Sequence, residues 1–179
     1  RAGARSARRL TRVIAFVGMG SNLVHPRRQL ARATRRLARL PRTALLAVSC
    51  NFVTAPLGTR DAQPDYVNAV AMLATALSPR ALLARLNALE RRQGRRRGAN
   101  SPRNAARSLD LDLLLYGRLR LDTRTLTLPH PRMHERAFVL RPLADVAPAA
   151  TIPGHGLARR HFARVRGQRV ARTRTHHLH

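Results

Sequence analysis

An apolar run, a leucine-periodic stretch, two extended runs, a second leucine-periodic stretch and a last apolar run follow one another along the chain. Strand, helix, strand, strand, helix, strand is the split βαβ order. It predicts an α+β ferredoxin-like sandwich, a mainly antiparallel sheet flanked by helices. Two stretches decide the assignment. Residues 66–74, YVNAVAMLA, alternate, with Tyr66, Asn68, Val70 and Met72 on one face and Val67, Ala69, Ala71 and Leu73 on the other. Residues 78–94 carry a full set of helix signals. Ser78 suits the N-cap, Pro79 the first position and Gly94 the end, and Leu82, Leu83, Leu86 and Leu89 form the apolar stripe.

The remaining elements follow in order. RVIAFVG (12–18) is apolar and β-branched and ends in glycine, which predicts a buried strand. HPRRQLARATRRLARL (25–40) sets Leu30, Ala33, Leu37 and Leu40 at helical spacing behind Pro26. TALLAVSCNFVT (43–54) reads as one strand, and residues 54–66, with Pro, Gly and Asp and no period, as a loop. Residues 95–107 form a basic loop. A strand is expected at 109–115, then a hairpin through YGR and a loop at 128–136.

At 179 residues this is most simply one domain, spanning 13–156, between a basic N-terminal arm (1–12) and a basic C-terminal tail (157–179). Both flanks are rich in arginine, lack acids and read as solvated. The 35 basic residues, all arginine, face 8 acids, for a net charge of +27. Such a chain attracts polyanions, whether nucleic acid or phosphorylated small molecules. No apolar stretch approaches eighteen residues, so no membrane span is expected. The single cysteine, Cys50, cannot form an internal disulfide, so nothing argues for an oxidising compartment.

Against that charge, RSLDLDLLLYG (107–117) sets Asp110 and Asp112 two residues apart in a greasy run. On a strand they share one face, roughly 7 Å apart, while Leu109, Leu111 and Leu113 face a core. Two carboxylates at that separation suit Mg²⁺, which takes one or two carboxylates plus phosphate oxygens and water. Taken alone, the same pattern fits a half-exposed strand whose aspartates pair with surface arginines. Arg95, Arg96, Arg97, Arg103 and Arg107 stand close by in sequence, and a metal site beside mobile arginines suits phosphoryl transfer.

Six blocks carry a resemblance: GSNL (20–23), VSCNFVTAPLG (48–58), QPDYVNA (63–69), LNALERRQGRRR (86–97), RSLDLDLLLYG (107–117) and LTLPHPRMHERAFVLRPLADVAP (126–148). In this order they resemble the 6-hydroxymethyl-7,8-dihydropterin pyrophosphokinase family of folate biosynthesis. The resemblance spans residues 13–153 and implies an enzyme that moves the pyrophosphoryl group of ATP onto the pterin hydroxymethyl group and releases AMP. It implies two Mg²⁺ ions held by Asp110 and Asp112, with Arg95 and Arg107 assisting transfer. Glu90, Arg97, Arg107, Leu113, Thr127, His130 and Arg136 then serve ATP. Tyr66 and Phe138 stack the pterin, Asn68 reads its polar edge, and Thr54, Ala55 and Leu57 line its pocket. A cytoplasmic monomer is implied as well. RNAAR (103–107) departs from the family's usual RWGPR, with Asn104 in place of tryptophan. Two other readings stay open at this point. One is a basic nucleic-acid-binding ferredoxin-like module, for which aromatics are few and paired aspartates unhelpful. The other is a family member that binds nucleotide without turning it over.

Overall fold

The computed structural model describes residues 11–23, 25–56, 63–93 and 108–173. β1 (Val13–Ser21) runs antiparallel to both of its neighbours, β4 (Tyr66–Thr75) and β5 (Asp110–Tyr116). Along the far side of β4 lie β2 (Thr43–Val48) and β3 (Phe52–Thr54), also antiparallel to it. The main strands therefore stand in the order β5, β1, β4 and β2/β3, as the split βαβ pattern requires.

Helices α1 (Pro26–Leu37) and α2 (Pro79–Arg92) cover one face of this sheet. Leu30, Ala33 and Leu37 of α1 and Leu82, Leu86 and Leu89 of α2 form two helical stripes. They pack on the alternate residues Ala15, Val17 and Met19, Ala69, Ala71 and Leu73, and Leu109, Leu111 and Leu113 in a single core. Ser78 caps α2 as expected, its side chain accepting from the Ala81 N–H at 3.2 Å.

The other face carries α3 (Ala137–Val146), whose Ala137, Val139, Leu140 and Leu143 meet Val70, Leu114, Leu115 and Ile152. A bulge lets β5 serve both cores. Val17 pairs with Leu113 and Phe16 with Leu115, so Leu114 is passed over, and Leu114 and Leu115 both turn to the second core.

Four expectations are revised. The run 43–54 breaks into two strands at residues 49–51. There the Ser49 side chain accepts from the Val70 N–H (2.9 Å) while its own N–H donates to the Val70 carbonyl (2.9 Å). The YGR turn does not close a hairpin. Gly117 takes a φ of 53° and donates to the Ile14 carbonyl at 2.7 Å, and the next strand, β6 (Leu121–Asp122), pairs with β7 (Thr127–Leu128) rather than with β5. A Cβ at Gly117 would stand 2.9 Å from Val13, so the turn demands glycine. α3 had no sequence counterpart, because Pro142 interrupts its pattern.

The fourth revision is the C-terminal tail, which through Thr173 is part of the fold. β8 (Thr151–Ile152) and β9 (Gly156–Leu157) form a small hairpin, and β10 (Val170–Arg172) adds to β3. Ala158 and Val165 are buried in the second core, and Arg141 lies over the Phe162 ring at 4.2 Å. The apolar residues here are scattered among arginines, which hides their common face. Among the described residues no helix is long and apolar enough to cross a membrane.

Leu86 is fully buried between α2 and the sheet, whereas Leu46 is 49% exposed. Leu86→Ala is expected to cost about 2–5 kcal/mol in equilibrium urea unfolding. Leu46→Ala should cost less than about 0.5 kcal/mol.

Candidate active site

The pairing of three strands lays out the floor of a cleft. Gly20 stands opposite Asp110 on one side and Asn68 on the other, and Gly18 stands between Asp112 and Val70. Asn68, Gly20 and Asp110 thus form a row across the sheet face opposite α1 and α2. The two outer strands of that row are about 9.6 Å apart. Both aspartates are half-buried on this face and line a cleft of about 750 Å³. The glycines keep its floor low. A Cβ on Gly20 would sit 3.1 Å from Asn68 Oδ1, so a larger residue would displace that amide.

Buried polar groups brace the strands that carry the row. Glu90, 2% exposed on α2, accepts from the Leu111 N–H on the outer edge of β5 at 2.8 Å. The GSNL motif works in the same way. Ser21 Oγ donates to the Ser108 carbonyl at 2.7 Å, and Asn22 Nδ2 donates to Gln63 Oε1 and the Pro64 carbonyl, each at 3.3 Å. These bonds fix the chain just ahead of β5 and β4. Ser108 Oγ also donates to the Gln93 carbonyl at 3.1 Å, which joins the two flanks of segment 94–107.

At one end of the cleft stand Thr54, Ala55, Tyr66, Asn68 and Phe138. Asn68 Nδ2 donates to Thr54 Oγ1 at 2.9 Å, which orients the amide with its oxygen over Gly20. At the other end stand Glu90, Asp110, Asp112, Leu113, Thr127, His130 and Arg136. His130 is tied to β5 by its N–H on the Leu114 carbonyl at 2.9 Å. Burial, with help from the Arg136 cation and against the pull of Asp110, lowers the His130 pKa from 6.5 to about 4. The ring is therefore neutral at physiological pH. Its Nδ1 accepts from the Arg132 N–H at 3.3 Å, so the proton sits on Nε2 as an uncharged donor. Burial and Arg132 also lower the Arg136 pKa, while Asp112 and Asp110 oppose them, and a guanidinium remains cationic throughout. Arg136 lies 5.5 Å from the centre of the Phe138 ring and so links the two ends.

Every expected site residue among the described ones thus lines one cleft. Leu57, Arg95, Arg97 and Arg107 lie outside the described residues. Gly18, Gly20, Asn87, Arg132 and Gln168 line the cleft as well and were missed. The two glycines left a readable signal, being alternate residues in an apolar strand, whereas Gln168 lay in the presumed tail. Among the described residues no group of three or more His, Cys, Asp or Glu could hold a metal ion. Two carboxylates on one face suit a cation that completes its shell with substrate oxygens and water.

A sequence model of one family, described as 7,8-dihydro-6-hydroxymethylpterin-pyrophosphokinase (HPPK), matches residues 16–148. The chain belongs to the HPPK family. It is 49% identical over 138 residues to the 2-amino-4-hydroxy-6-hydroxymethyldihydropteridine pyrophosphokinase of Pseudomonas aeruginosa, covering 77% of this chain and 83% of that one. To the enzyme of the same name from Haemophilus influenzae it is 43% identical over 141 residues, covering 79% and 86%. The HPPK fold is also found in solved structures. One of an HPPK-DHPS in complex with substrates matches with a TM-score of 0.64 at 13% identity, over 85% of this chain. One of a Plasmodium falciparum HPPK-DHPS matches with a TM-score of 0.66 at 11% identity, over 90% of this chain. The chain spans less than half of either, 43% and 47%.

The state of His130 can be tested in the free protein. Its ring is expected to titrate by NMR near 4 rather than near 6.5. The unfolded chain then takes up this proton first, so stability through His130 falls as pH drops from 6.5 to 4. His130→Gln should flatten that part of the stability–pH curve.

Proposed function

We propose that this HPPK chain transfers the pyrophosphoryl group of ATP to the hydroxymethyl group of 6-hydroxymethyl-7,8-dihydropterin and releases AMP. It is then a 2-amino-4-hydroxy-6-hydroxymethyldihydropteridine diphosphokinase of tetrahydrofolate biosynthesis. One observation carries the reading. A single cleft joins an aromatic end with an amide, Tyr66, Phe138 and Asn68, to a charged end with Asp110, Asp112, His130 and Arg136. A flat heterocycle needs an aromatic face and a few convergent polar groups, and a polyphosphate needs donors and cations.

In this reading the pterin ring lies between Tyr66 and Phe138, with Asn68 on its polar edge and Thr54, Ala55 and Leu57 around it. Glu90, Leu113, Thr127, His130 and Arg136 serve the nucleotide together with Arg97 and Arg107. The pterin hydroxyl oxygen attacks the β-phosphorus in line. The bond from that phosphorus to the α,β-bridging oxygen breaks, AMP leaves and the hydroxyl proton passes to solvent. No covalent enzyme intermediate is needed, because orientation and electrostatics lower the barrier. His130 Nε2–H and the Arg136 guanidinium donate to phosphate oxygens, and Arg95 and Arg107 meet charge developing in transfer. Asp110 and Asp112 are the residues that would hold Mg²⁺, two ions in this reading, which supplies countercharge to the polyphosphate. The chain's net charge of +27 favours capture of an anionic nucleotide. Binding of nucleic acid is then non-specific attraction of a polyanion. In this reading the protein acts as a monomer in the cytoplasm.

The test is AMP release from ATP in the presence and absence of the pterin. Asp110→Asn and Asp112→Asn should each lower pterin-dependent AMP formation by at least about a hundredfold while leaving the fold intact. Chelation should abolish it and Mg²⁺ restore it. Absence of pterin-dependent AMP from the intact protein, with salt-sensitive RNA binding retained, would sink the proposal.

A further inference from the structure

Arg136 is the N-cap of α3, and its own side chain makes no capping bond there. Its backbone is extended, with φ −120° and ψ 110°, between the 3₁₀ turn Met133–Glu135 and the helix. The peptide groups on its two sides are both held by one distant side chain. Gln168 Nε2 donates to the Glu135 carbonyl at 2.8 Å, and Gln168 Oε1 accepts from the Ala137 N–H at 2.8 Å. The amide thus pairs with the backbone across Arg136 as a short strand would. It satisfies an N–H that the start of a helix leaves without an intrahelical partner.

Gln168 is itself well anchored. Val165, three residues before it, is 3% exposed in the second core. Two residues after it, Val170 begins β10 and pairs with Thr54 of β3. Gln168 also borders the cleft, and a small recess of about 20 Å³ lies between it, Phe138 and Thr54. The segment therefore spans from the strand bearing Thr54 to the turn bearing Arg136 and Phe138. It lies beyond residues 16–148, to which the HPPK family model extends.

We infer that Gln168 is a positioning residue for the reaction. Its amide sets the direction of Arg136 and the placement of Phe138, so a segment outside the family's matched region tunes the affinity for both substrates. The inference rests on the proposed roles of Arg136 and Phe138.

The test compares full-length wild type, Gln168→Met, which keeps the volume and loses both bonds, and Gln168→Glu, which keeps the acceptor and loses the donor. Steady-state KM and kcat are read for ATP and for the pterin, together with Tm. Gln168→Met is expected to raise both KM values about five- to tenfold, the size of one to two lost hydrogen bonds. Gln168→Glu is expected to fall between it and wild type. In an Arg136→Ala background the ATP effect of Gln168→Met should largely vanish, because the two residues act as a unit. A folded Gln168→Met protein with both KM values within twofold of wild type overturns the inference, as does full additivity with Arg136→Ala. A change confined to Tm and to the active fraction, with both KM values unchanged, also overturns it. An Arg136→Ala protein with an unchanged KM for ATP overturns the site reading itself, and the inference with it. If Gln168→Met fails to fold, Gln168→Glu against wild type gives the same comparison, and equal KM values for those two overturn the inference.

Discussion

The antiparallel pairing of β5 on β1 is the contact from which the rest of the cleft follows. β5 is an edge strand with incompatible faces, leucines on one and aspartates on the other, and a one-residue slip would exchange them. The slip would bring three buried leucines, 109, 111 and 113, to the solvent side, at about 1.5–3 kcal/mol each. It would also push two carboxylates under the helices, where charge is costly without partners. The apolar core thereby sets the position of the chemistry. Glu90 completes the arrangement by accepting from an edge N–H of Leu111, so the outer side of β5 is held by α2 as well as by β1.

The same pairing explains why the cleft is deep enough to hold something. Two glycines of β1 stand between the aspartates of β5 and Asn68 and Val70 of β4. Side chains there would fill the floor, and at Gly20 would press on the Asn68 amide. Glycine costs conformational entropy in a strand, and here the cost is offset by neighbours on both sides. The chain as a whole has few acids and many arginines. Four of its 8 acids, Glu90, Asp110, Asp112 and Glu135, line the cleft, which concentrates negative charge at one place in a strongly positive chain.

Much of this was legible in the residues. Alternation along 66–74 put Tyr66 and Asn68 on one face, and they do line the cleft together. The leucine stripe, the Ser78 cap and the split face of β5 follow from periods of 3.6 and 2. Other parts were not legible because their cause is tertiary. Ser49 breaks the run 43–54 by substituting its hydroxyl for a ladder bond, which no local pattern announces. The tail was read by its arginines, while its fold is decided by Ala158, Val165 and β10 finding partners far away in sequence. Gln168 was invisible for the same reason, since it acts on a turn thirty-one positions earlier.

His130 and Arg136 show how such a pocket sorts its charges. Both come from one short segment, and the fold half-buries them side by side against β5. Two cations in that space would repel each other and lose hydration, so the group with the weaker hold on its proton gives it up. That group is the imidazole, and the guanidinium stays charged. The outcome is one fixed cation and one neutral N–H donor, with the donor's tautomer set by the Arg132 N–H. In the proposed reaction both would grip the polyphosphate, without the resting site having to hold two unscreened charges together. Asp110 opposes the loss of charge at both residues, joined by Asp112 at Arg136, yet does not prevent it at His130, so burial outweighs its attraction there.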